Sequence, residues 1–215
     1  MTVYATMLPL VTALFGLACG LFIWMSKKVA IRKHLLLWLS IILISLYAFG
    51  VFMGMAVGNI TLWQASIAFL STALLTGMFF TIQITRDIRE ADSVFLFLFL
   101  ISTTGGTLSI ESAIEIYGVY LPVVSPILFG IFLVYVIIAW SEVLYNLIIV
   151  RIASRKMELK KYRLKLNYLF VGLNLNFVLL SIDAVFVYAD VLIVPVMAVL
   201  GTLPILFLSF FVFER

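Results

Sequence analysis

Glu142, in the run AWSEVLYN, is the one charged side chain between residues 116 and 150, a stretch otherwise suited to the interior of a bilayer. With Val150 at the inner boundary of a ~30 Å hydrocarbon core, a rise of about 1.5 Å per residue puts Glu142 near the bilayer centre. A carboxyl group there costs roughly 3 kcal/mol on insertion scales, so it must face the protein interior and be protonated or hydrogen-bonded. Asn146 stands one helical turn away on the same face. Asn174 and Asn176 fall at similar depth further along the chain, and Gln83, Thr76 and Thr72 supply polar groups earlier. Two chemistries fit this set. One is a polar ligand or proton site between neighbouring helices. The other is interhelical hydrogen bonding that holds the helices together, at about 0.6 kcal/mol per bond.

A second constellation is cationic. The stretch RIASRKMELKKYRLK, residues 151–165, contains Arg151, Arg155, Lys156, Lys160, Lys161, Arg163 and Lys165, seven of the fourteen lysines and arginines. Glycine and proline are absent from 131 to 171. At about 100° per residue the cations fall on all sides of a helix, whereas a helix lying on a membrane would gather them on one face. The pattern predicts a helical hairpin standing into the cytosol. It either fixes topology and touches anionic lipid, at ~1 kcal/mol per cation near the surface, or docks a cytoplasmic partner.

These residues need helices to position them. Of 215 residues, 65% are hydrophobic and 11% charged, against about 25% charged in a soluble domain. Residues 1–26, 35–85 and 191–213 carry no charge. Runs such as LLLWLSIILISL do not alternate as barrel strands would. The reading is an all-α membrane protein, a single seven-helix bundle with spans near 3–25, 35–57, 63–84, 93–112, 120–150, 167–187 and 192–213. Threaded so, every lysine and arginine falls after an odd-numbered span. The positive-inside bias then places the N-terminus outside and the C-terminus in the cytoplasm. The charge is +9 on the inner side, −4 outside and −1 at Glu142. The first segment lacks a basic start, and its apolar run is too long for a cleavable signal, so it is expected to remain as span 1.

Gly16 and Gly20, and Gly50, Gly54 and Gly58, make GxxxG spacings that let helix backbones approach; packing within one chain or a dimer interface would use them alike. Pro122 and Pro126 are expected to open span 5, and Pro195 span 7, while Pro204 should kink span 7. Gly105-Gly106 is expected to loosen the end of span 4. Asn59-Ile60-Thr61 matches a glycosylation sequon. Trp63, Tyr117, Tyr120 and Tyr188 are expected at the outer boundary and Trp24 at the inner one.

Other classes lack their residues. Cys19 and His34 are the only cysteine and histidine, which denies an internal disulfide and a bis-histidine haem. No lysine lies in 192–213 to hold retinal, and TRDIRE and LPILFLSFF do not match the motifs of the animal receptor families. No G-x-S-x-G, H-E-x-x-H, Walker or G-x-G-x-x-G pattern occurs, so no enzyme activity, cofactor or metal is expected.

The stretches FIWMSKK, LWLSIILISLYAFG and KYRLKLNYLFVGL, with an aromatic-rich final span, resemble the seven-transmembrane sensor region at the N-terminus of some bacterial and archaeal histidine kinases. The resemblance covers essentially the whole chain. It implies sensing of a ligand or of membrane state, passed to a cytoplasmic output. No kinase domain follows Phe213-Glu214-Arg215, so it implies a stand-alone relative or the sensor portion of a larger protein. A non-enzymatic membrane sensor is the leading expectation, in the cell membrane. Its expected partners are the lipid bilayer, a cytoplasmic signalling protein or a second copy of the chain, and a small-molecule ligand; nucleic acid is not among them. A small SWEET-like seven-span transporter, built as a repeated three-span unit, and an accessory subunit of a membrane complex are the alternatives.

Overall fold

The computed structural model describes residues 2–25, 32–85, 93–116 and 118–156, together with 167 and 174. Five helices and one β-hairpin follow in order: α1 (Thr2–Met25), α2 (Arg32–Val57), α3 (Ile60–Thr85), α4 (Ser93–Leu108), β1 (Ile110–Ile116), β2 (Val119–Val124) and α5 (Pro126–Lys156). Among the described residues, three stretches are long and apolar enough to cross a membrane: Leu35–Val57, Ile60–Gln83 and Pro126–Ala153. α4, with 16 residues, is shorter. Large apolar side chains point outward along α4 and α5, with Phe97 64% and Ile127 80% exposed. Soluble monomers rarely show so much contiguous apolar surface; helices that meet lipid do.

α3 is the hub. It packs against α2, α4, α5 and β1, while α1 reaches the rest of the protein through α2. The main core joins Tyr47, Val51 and Met55 of α2 to Leu70, Met78 and Ile82 of α3 and to Phe132, Tyr135, Ala139, Val143 and Leu147 of α5. α2 and α3 form an antiparallel pair linked by two residues. Gly58, at φ +72°, ends α2, its amide donating to Gly54 O at 2.9 Å. Asn59 starts α3 by accepting the Thr61 amide on Oδ1 at 2.8 Å, a side-chain cap for one of the helix's unpaired donors. The glycine spacings serve this packing. A Cβ on Gly54 would come within 2.7 Å of the Trp63 ring, and one on Gly50 within 3.0 Å of Ser66 Cβ. In α1, Gly20 O accepts the Trp38 indole N–H at 2.9 Å.

The hairpin corrects the all-α expectation. Residues 110–124 form two antiparallel strands, with Ile116 opposite Val119, a two-residue turn holding Gly118 at φ +78°, and a bulge between Ile110 and Ser112. Its base is closed by the Ser125 amide donating to Ser109 O at 2.6 Å. Val119 is buried in the core, and the Tyr120 ring lies against Gly58, so the hairpin covers the α2–α3 turn. Accordingly α4 ends at Leu108 rather than near 112, and α5 starts at Pro126 rather than near 120. Pro122 sits in β2; Pro126 takes the first helical position, where a missing N–H does no harm. Gly105 and Gly106 stay helical and buried, Gly106 against Ile67 and Phe132. Trp63, in the first turn of α3, is 5% exposed and packs within the core. The expected sixth and seventh spans lie outside the described residues except for Asn167 and Asn174, as does Tyr117.

Candidate functional site at the α3–α5 contact

α3 and α5 run side by side in the same direction, and two cross-helix hydrogen bonds join them. Towards the hairpin, the Tyr135 hydroxyl donates to Ser71 O at 3.2 Å; Tyr135 is fully buried. At the far end, Thr85 Oγ1 lies 2.7 Å from Asn146 Oδ1. Asn146 is 1% exposed, and its Nδ2 donates to Glu142 O at 2.8 Å and to Glu142 Oε1 at 2.9 Å.

The chemistry fixes which way this amide points. Glu142 O is a carbonyl and can only accept, so the atom beside it must be the –NH2 of Asn146. Asn146 Oδ1 then faces Thr85, whose hydroxyl must supply the proton. That hydroxyl has one proton and three acceptors in reach: Asn146 Oδ1 at 2.7 Å, Ile82 O at 2.9 Å and Thr81 O at 3.2 Å. Both Asn146 N–H groups are taken up by Glu142. The result is a directed chain, Thr85 to Asn146 to Glu142, that ties the last turn of α3 to the carboxyl group of α5.

The chain also fixes the register of the two helices. Asn146 is level with Thr85 of α3, and Glu142 lies one turn, about 6 Å, nearer the hairpin along α5. Beyond Asn146, α5 continues unbroken to Lys156, roughly 15 Å of helix past that level.

The other expected site residues divide. Gln83 is half-buried; two residues before Thr85, it lies about 200° around the helix and faces elsewhere. Thr76 and Thr72 donate to carbonyls of their own helix. Asn174 is half-buried, and Asn176 is outside the described residues. Arg151 is half-buried on α5, Arg155 and Lys156 lie in its last turn, and Lys160, Lys161, Arg163 and Lys165 are outside the described residues. Among the described residues, no three His, Cys, Asp or Glu side chains gather as a metal site. The residue that sequence reasoning misses is Thr85. Its signal is a hydroxyl in the last turn before Arg86, four residues after Thr81 and so on the same helix face.

No protein-family model, no curated protein and no solved structure matches the chain.

Proposed function

We propose that this protein is a non-enzymatic sensor or signalling module of the cell membrane. In this reading it is a seven-helix bundle with the N-terminus outside, passing a ligand or membrane signal to its cytoplasmic side. The supporting observation is the Thr85–Asn146–Glu142 chain combined with the continuity of α5. A change of protonation, hydration or ligand contact at Glu142 alters how Asn146 holds Thr85. α5 is a single helix from Pro126 to Lys156, so a displacement at Glu142 is delivered intact to Arg151, Arg155 and Lys156. The resemblance to kinase-linked sensor regions supports the same direction of relay, and the positive-inside pattern supports the orientation. Small helix shifts of this type are an established switching mode.

The test places nitroxide labels on Val94 and Ile152, both exposed, in a Cys19→Ala background reconstituted in nanodiscs. Glu142→Gln and Asn146→Ala are expected to move the interlabel distance distribution, as is a change of pH or lipid composition in the unsubstituted site. A distribution indifferent to all four overturns the sensing role.

A further inference from the structure

α3 bears five hydroxyl side chains that donate back to carbonyls of their own helix: Ser66, Ser71, Thr72, Thr76 and Thr81. Such bonds compete with the helical ladder and bend helices. The competition is sharpest at one atom. Ala73 O accepts Ser40 Oγ, from α2, at 2.9 Å and Thr76 Oγ1 at 3.0 Å. The α-helical pattern assigns the Gly77 amide to the same oxygen. The Thr76 hydroxyl has one proton and also reaches Thr72 O at 2.9 Å; whenever that proton turns to Ala73 O, three donors share the two lone pairs of one carbonyl, and the ladder bond from Gly77 is in competition with both hydroxyls.

Gly77 itself is the second observation. Glycine in a helix interior is unfavourable relative to alanine. It is usually retained where a side chain would collide, as at Gly54 and Gly106. At Gly77 an added Cβ would meet only Ser40 Oγ, at 3.4 Å, an ordinary contact. Space does not demand glycine there; freedom of the backbone explains it.

The two bonds from α5 straddle this point. From Ser71 to Thr85 is fourteen residues of α3, while from Tyr135 to Asn146 is eleven of α5. Over the same interval α3 has about 4.5 Å more rise to accommodate, which tilt, the reach of Tyr135 or a bend in α3 must absorb. We propose that Ala73–Gly77 is a hinge in α3, propped by the Ser40 hydroxyl. About it the segment 78–85 swings as a unit and carries Thr85 towards or away from Asn146. This holds whether or not the protein is a sensor.

The test reads the bend within α3 alone. Nitroxides on Thr61 and Gln83, again with Cys19→Ala in nanodiscs, are separated by about 33 Å of rise in a straight helix. Gly77→Ala is expected to lengthen the mean distance and narrow the distribution. Any glycine replacement stiffens a helix, so Ser40→Ala, made on a different helix, is the discriminating variant, and it is expected to shift the distribution the same way. Thr76→Val should do likewise and Thr76→Ser should not; these report on the hinge if Ser40→Ala fails to fold. A distribution already narrow in the parent and unmoved by Ser40→Ala or Thr76→Val overturns the proposal.

Discussion

Thr85 Oγ1 and Asn146 Oδ1 lie 2.7 Å apart, a hydrogen bond between the last turn of one apolar helix and the buried face of another. The two residues are 61 positions apart in sequence. Their contact sets the register of α3 against α5 beside Glu142, the one carboxyl group in the α5 helix.

Removing Asn146 takes one partner from Glu142 and leaves the Thr85 hydroxyl to Ile82 O and Thr81 O. Asn146→Ala should lower stability by about 1–2 kcal/mol, from the loss of its hydrogen bonds at near 0.6 kcal/mol each. Thr85→Val keeps the shape and gives up one bond, near 0.6 kcal/mol in a membrane protein. The double variant should fall short of the sum, because the Thr85–Asn146 bond is lost only once. Unfolding of detergent-solubilised protein by a denaturing surfactant measures all three; strict additivity would show that the two side chains do not interact.

The glycines separate into space-limited and conformation-limited positions. Gly58→Ala meets the Tyr120 ring at 2.6 Å and a φ of +72°, so it should disrupt the seat of the hairpin. Gly118→Ala has nothing within 4 Å and pays only for the left-handed backbone, about 1–2 kcal/mol. Gly54→Ala, 2.7 Å from the Trp63 ring, should cost about 1–3 kcal/mol through overpacking. Thermal midpoints should therefore rank Gly118→Ala above Gly58→Ala.

Asn59 has a structural use for the side chain that a glycan would need. Its Oδ1 caps α3, in a two-residue turn under Tyr120. Protein made in glycosylating cells should show no mobility shift on glycosidase treatment, despite the sequon. Asn59→Ala should cost about 0.5–2 kcal/mol, and Asn59→Asp much less, as expected for a cap. A glycosidase-sensitive band would contradict this.

Trp38 joins α2 to α1 through its indole N–H on Gly20 O and through its ring beside Trp24, centroids 5.2 Å apart. Trp38→Phe keeps a ring and loses the donor, about 0.6 kcal/mol. The midpoint of unfolding in a denaturing surfactant should fall slightly in that variant; an unchanged midpoint would mean that the bond does not hold α1 in place.

The first three helices were legible because charge brackets them. Arg32 and Lys33 at the start of α2 and Arg86 after the described part of α3 mark ends that hydrophobicity alone leaves vague. The hairpin was overlooked because apolar runs in a membrane protein are read as helix. Yet Ile110, Ser112, Ile114 and Ile116 alternate with Glu111, Ala113 and Glu115, a period of two. A tight turn with Gly118 and a proline at 122 follow, all strand signals. Glu142 and Asn146 were identifiable as one helix face at a spacing of four. Thr85 had only the weak signal of a hydroxyl four residues after Thr81; which residue of α3 reaches α5 depends on the register of the two helices, a long-range property.

The end of α4 at Leu108 has a physical consequence for the surroundings of this protein. The chain passes there into two strands, and among the described residues each strand pairs on one edge only. Acyl chains do not tolerate an open strand edge. Water and headgroups must therefore reach the hairpin, which covers the α2–α3 turn, so on that flank the limit of the hydrocarbon is set by a sheet rim and not by the length of a helix.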